Sequence, residues 1–222
     1  MTDESASLDQ IFAELLRDGA VTIGGGTVSG KTTLATILAT RAAAEHHRHV
    51  VMVSHDAFMY AREIRSGLYE KLARGEIDEA AYNERTWNLR AIDRCIRRID
   101  GARAGILRRS LLIPAREHRS DATVTASLVE LTTSSLVIVE GAGALHTDRY
   151  HLRGQMVWCT TPPVGTVVLR KMRRAEIEGV HVSPSSVRHR YLTAERVHET
   201  WLSENRVPCV TFDAAGEEWQ PT

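Results

Sequence analysis

Apolar side chains recur at helical spacing at Ile11, Phe12, Leu15 and Leu16, behind a capping residue at Ser7 or Asp9 and ahead of Gly19. That spacing predicts a short leading helix. The run AVTI, ending at Gly24, is apolar without alternation, as expected of a strand buried on both faces, and Lys31 to about His47 reads as a helix. HVVMVS is a second strand; Leu89, Ile92, Ile96 and Ile99 then mark one face of a helix whose remaining Arg and Asp residues form a wet face. Between Ile113 and Leu131 the pattern weakens, and ATVTASLVEL alternates only in part, which suits a strand or hairpin off the main sheet. SLVIVEG and QMVWCT are two further buried strands. Thr161-Pro162-Pro163 starts a basic helix that runs to Glu178-Gly179, Ser183-Pro184 starts another carrying Val187, Tyr191, Leu192 and Trp201, and PCVTF closes as a strand. Strands alternating with helices predict an α/β fold, an open parallel sheet flanked by helices on both faces.

Composition narrows the class. The chain has 222 residues, 43% of them apolar and 25% charged, which suits one domain with a sizeable core rather than a disordered chain. Its 28 basic and 28 acidic side chains cancel, so a nucleic-acid partner is not expected. Cys95, Cys159 and Cys209 lie far apart without C-x-x-C spacing, which argues against disulfides or a zinc site and fits a reducing cytoplasm. The start, MTDESASLDQIF, lacks the basic and apolar pattern of a secretory signal, and no run is long enough to span a membrane. His46, His47 and His49 fall at the end of an Ala-rich helix, where imidazoles suit the helix dipole better than they suit a metal.

The chemistry begins at Gly25-x-x-x-x-Gly30-Lys31-Thr32, the phosphate-loop spacing, set between a predicted strand and a predicted helix as its mechanism requires. Backbone N–H groups across Gly25, Gly26, Thr27, Val28, Ser29, Gly30, Lys31, Thr32 and Thr33 would wrap a nucleotide's phosphates at a helix N-terminus. Lys31 would bridge to the γ-phosphate and Thr32 would ligate Mg²⁺. No N-K-x-D or L-S-G-G-Q segment marks a guanine-specific or transporter-type site. Asp56, after the second strand, would stand at the sheet's carboxyl edge facing the γ-phosphate, able to take a proton from an attacking hydroxyl and to touch the metal shell; the bland alternative is the cap of a helix beginning near Ala57. Glu140 reaches the same edge from LVIVEG, either to the magnesium shell or to a nearby base. Arg170, Lys171, Arg173 and Arg174 form either a solvated face or a lid whose arginines hold the migrating phosphoryl before a flexible Gly179. Tyr60, Tyr82, Trp87 and Tyr191 are candidates for stacking on a base, or for core.

GGGTVSGKTT, SHDAFMY, IVEGAGAL and RKMRRAEIEG together resemble, in order and spacing from about Val21 to Tyr191, the uridine kinase family and its phosphoribulokinase relatives. The resemblance implies a P-loop NTPase fold with a small β-hairpin and a helical lid, ATP or GTP as donor, Mg²⁺, and often a homo-oligomer. It implies that Asp56 is the base for a nucleoside hydroxyl and that Arg170 and Arg173 steady the transferred phosphoryl. It places Tyr60, His118, Arg119 and Arg174 on the acceptor side, with Asp56. On this reading residues 1–222 are a single kinase domain, with an acceptor-binding insert at about 57–131 and a lid at about 170–183. The departures fall on the acceptor side and the lid: DAFMY has an extra residue before Tyr60, NERTWNLRAID stands where the family has D-H-P-D-A-F-D, and the lid reads Glu178-Gly179-Val180 instead of R-G-R. The expected activity is therefore transfer of a γ-phosphoryl to a hydroxyl of a nucleoside or a nucleoside-like compound of specialised metabolism. A non-nucleoside alcohol, such as a sugar phosphate or vitamin precursor, and a nucleotide-dependent regulatory module are the alternatives.

Overall fold

Strand β1 (Ala20–Gly25) lies at the centre of a five-stranded sheet in the computed structural model, which describes residues 5–107, 110–116 and 124–214. The order is β2 (Val50–Ser54), β5 (Leu136–Glu140), β1, β6 (Gln155–Cys159), β7 (Val210–Phe212), and every neighbouring pair is parallel. The alternation that SLVIVEG lacks in sequence exists in space. Leu136 and Ile138 pack against helices α1 (Leu8–Asp18) and α2 (Lys31–His46), whereas Val137 and Val139 face α5 (Leu89–Arg103) on the other side. Both faces are apolar because both are covered.

Helix α1 begins as its spacing predicts. Ser7 Oγ accepts from Gln10 N at 3.3 Å while Gln10 Oε1 accepts from Ser7 N at 2.7 Å, a capping box, and Gly19 ends the helix at φ 72°. Helix α2 ends at His46 with His47 in the left-handed region, so these histidines terminate a helix.

Strands β3 (Ser110–Arg116) and β4 (Val124–Glu130) pair antiparallel as a separate two-stranded sheet. Leu111 and Ile113 point into the core, but Leu112 and Leu128 lie opposite each other and are 67% and 69% exposed. Apolar residues on both faces explain why β3 shows no alternation in sequence. Helices α3 (Arg62–Ala73) and α4 (Glu79–Thr86) also lack an apolar stripe: α3 buries Leu68 and Leu72, and α4 buries the polar Asn83 and Thr86. The basic helix is α6 (Val164–Ile177). The segment after Ser183 is not one uniform helix: α7 (Pro184–Arg190) and α8 (Arg196–Glu204) are joined by a π-helical turn over Tyr191–Glu195. No helix among the described residues is long and apolar enough to cross a membrane.

Candidate functional site

Sheet register brings the loops level. Ile23 and Ser54 both pair with Glu140, so β1, β2 and β5 end together at the carboxyl edge, where open α/β sheets bind ligands. From β1 the chain turns sharply at Gly25, φ 146°, where a Cβ would stand 2.5 Å from the Cys159 carbonyl oxygen. Val28, although β-branched, sits at φ 49°. That strain places the residue inside the phosphate loop, where backbone outliers accompany function.

Lys31, Thr32, Asp56, Glu140, Arg170 and Arg174 line a single cavity of about 1030 Å³, together with phosphate-loop residues 27–30. Lys31 Nζ donates to Gly26 O, and Thr32 Oγ1 donates to Glu140 Oε2 at 3.2 Å. Burial, aided by the charge of Asp56, holds the Glu140 carboxyl above the usual range, against hydrogen bonds from Ser54 and Thr32 and the pull of Lys31. Asp56 does not cap a helix; Ser54 caps the 3₁₀ turn His55–Phe58 that carries it, accepting from Asp56 N at 3.3 Å.

Arg170 and Arg174, one turn apart on α6, line the cavity, Arg170 donating from Nη1 to Val28 O at 2.9 Å and Arg174 pairing with Glu178 at 2.9 Å. Arg173 does not join them. It lines a separate groove with Leu169, Met172 and Val180: three residues fall about 60° short of a full turn, which sets Arg173 off Arg170 on the side away from Arg174. Tyr60 is 39% exposed and is not among the cavity's lining residues; its carbonyl accepts from Arg65 Nε. His118 and Arg119 lie outside the described residues.

Several cavity residues carry no motif. Tyr69 and Arg65 come from α3, Arg190 from α7, and His198 and Glu199 from α8. With Tyr69 and His198, the expected Tyr82 and Trp87 make part of the cavity lining aromatic: Tyr82 meets His198 edge-on at 4.9 Å, and Trp87 stacks on it at 5.7 Å. Burial pushes the His198 pKa down to about 4, so its ring is neutral at pH 7. Glu199 accepts from Thr27 N of the phosphate loop through Oε1 and from Tyr191 Oη, at 3.0 Å, through Oε2. Only the i to i+8 step from Tyr191 to Glu199 is local. The 172-residue span to Thr27 leaves no sequence signal.

Three solved structures overlay most of the chain. A provisionally assigned fructose transport system kinase from Silicibacter sp. matches with TM-score 0.63 and 16% identity over 94% of this chain and 99% of its own. A possible uridine kinase from Bacillus stearothermophilus gives 0.57 and 17% over 87% and 88%, and D-glycerate 3-kinase from Cryptococcus neoformans gives 0.58 and 14% over 88% of each chain. The chain shares the fold of these structures, a parallel α/β sheet flanked by helices. At these identities the likeness establishes architecture alone. No protein-family model and no curated sequence matches the chain.

The oxygen donors fit Mg²⁺. Thr32 Oγ1 and Glu140 Oε2 are already adjacent at 3.2 Å, and Asp56 acts on Glu140 from the same cavity. Among the described residues no three His, Cys, Asp or Glu side chains gather as a metal cage. A hydroxyl with one or two carboxylates, completed by phosphate oxygens and water, is the pattern in which this small, hard cation is held.

Proposed function

We propose that the chain is a phosphotransferase moving the γ-phosphoryl group of ATP or GTP to a hydroxyl of a nucleoside or nucleoside-like small molecule. The observation that carries this reading is the convergence of Lys31, Thr32, Asp56, Glu140 and Arg170 on one cavity that Tyr69, Tyr82, Trp87 and His198 also line. Loop N–H groups and the α2 N-terminus hold the phosphates, and Lys31 exchanges the Gly26 carbonyl for a phosphate oxygen. Asp56 receives the proton of the attacking hydroxyl and orients it in line. Arg170 reaches the transferred group from the lid, residues 170–183, beside Val28. Mg²⁺, when bound by Thr32 and Glu140 with Asp56 in reach, supplies neutralisation of charge on the phosphate oxygens. The transition state is loose, so the protein contributes position and charge more than covalent chemistry. The half-buried rings of Tyr69 and Tyr82 in that lining suit a flat heterocycle, whereas Trp87 and His198 are buried and stacked on each other.

Arg65 and Arg190 in the same wall favour a second reading, in which the acceptor is a non-nucleoside alcohol bearing a phosphate or carboxylate. A regulatory module that hydrolyses slowly needs no such acceptor wall. Transfer of label from [γ-³²P]ATP or GTP across nucleosides, sugar phosphates and hydroxy acids separates the readings. One alcohol is expected to stimulate ADP release, and Asp56→Asn is expected to slow that transfer on the order of 10²- to 10⁴-fold while nucleotide still binds. ADP release that no alcohol stimulates would leave only the regulatory module.

A further inference from the structure

The phosphate loop is engaged by an anion of the chain's own. Glu199 Oε1 accepts from Thr27 N, and its seat is built: a Cβ on Gly26 would come within 2.5 Å of Glu199 Cδ and 2.2 Å of Thr161 Oγ1. Glycine at this position is therefore required by the carboxylate, apart from any turn. Tyr191 holds the second oxygen at 3.0 Å, and the π-helical turn Tyr191–Glu195 lies between α7 and the helix that carries Glu199; such turns recur at functional sites. Thr27 N donates to Oε1, and the Tyr191 hydroxyl, which can donate or accept, lies on Oε2, so the seat fits the acid in either protonation state.

Glu199 lines the same cavity as Lys31 and is 8% exposed. Seating a triphosphate there brings several negative charges beside a buried carboxylate, and nearby like charge disfavours the ionised form of that acid. Displacement would pull the side chain from a seat closed by Gly26, Thr161 and Tyr191. Protonation leaves it in place. The proton comes from solvent and bonds to Oε2, the Tyr191 hydroxyl rotates from donor to acceptor, and Oε1 keeps the Thr27 amide.

Resting on the reading that this loop holds a nucleoside triphosphate, we propose that Glu199 is a proton-coupled gate of the phosphate loop, which takes up one proton as the triphosphate seats. Groups already acting on it set its starting point. Burial and the neighbouring Glu195 of the π-helical turn raise its pKa, while the Thr27 amide, the Tyr191 hydroxyl and Lys31 of α2 pull the other way. Arg170 of α6 lies against the same loop at Val28. Because the bound state holds the proton more tightly than the free state, affinity is highest at low pH. It falls by up to about tenfold per pH unit once the pH exceeds the Glu199 pKa of the free protein.

Titration calorimetry of the full chain with MgATP, between pH 6 and 8 and in buffers of different ionisation enthalpy, tests this. Proton uptake approaching one per nucleotide is expected for the wild type, together with weakening affinity toward pH 8. Glu199→Gln keeps an acceptor for Thr27 N and a partner for Tyr191, and is expected to bind without net proton uptake, with a flattened pH dependence and at least about tenfold more tightly at pH 8. Wild-type binding with no proton uptake, or a Glu199→Gln chain that is folded and binds equally or more weakly, overturns the gate and leaves the kinase reading intact. Failure of both chains to bind MgATP or MgGTP overturns the donor reading and the gate with it.

Discussion

Val28, at φ 49°, and the buried histidines are the residues at which this fold departs most from local preference. A β-branched residue in the left-handed region costs on the order of 1–3 kcal/mol and persists only where its surroundings over-determine it; here its carbonyl receives Arg170. The histidines carry a cost that depends on pH. Burial holds His55 at a pKa of about 3 and His198 at about 4, against an ordinary value of 6.5. Both pKa values are depressed, so the unfolded chain binds the protons that the fold refuses, and stability present above pH 6.5 is lost as the pH falls toward 4. The unfolding free energy from urea titration should decline across that window, by about 1.4 kcal/mol per pH unit for each histidine in full effect, with His198→Gln removing one share. An unfolding free energy that holds constant from pH 6.5 to 4 would mean that these rings already carry charge in the fold.

Among the elements, α6 tests how a basic helix divides its labour. Arg170 and Arg174 share the cavity face, whereas Arg173 points to the groove with Leu169 and Met172. Arg170→Ala should lower turnover on the order of 10²- to 10³-fold, as loss of a preorganised cation or donor does, and Arg173→Ala should cost far less in the same transfer assay. Equal losses would show that the lid presents a different face during reaction. Helices α1 and α5 were legible in the sequence because each has an apolar face at helical spacing, β1 and β5 because each is a continuous buried run, β2 and β6 as short apolar runs, and α2 as the Ala-rich run that follows the phosphate loop. Helices α3 and α4 were not, because among their described side chains they bury two leucines and two polar residues. They also supply Arg65, Tyr69 and Tyr82 to the cavity, and of these three only Tyr82 was singled out beforehand. The phosphate loop, Asp56 and Glu140 were visible because each ends a readable strand.

On the scale of the whole molecule, the parallel sheet gathers residues from distant parts of the chain at one edge. A ligand that binds only this assembled edge stabilises the fold by mass action, so MgATP at a hundredfold over its dissociation constant should add about 2.7 kcal/mol to the unfolding free energy. Thermal unfolding with and without MgATP measures this, and Lys31→Ala should lose most of the increment; an equal increment in both chains would place the nucleotide elsewhere. The contact between Thr27 and Glu199 spans 172 residues. During synthesis the N-terminal loop therefore leaves the ribosome long before the helix that completes it, and the nascent chain carries a phosphate loop without its internal carboxylate until α8 has emerged.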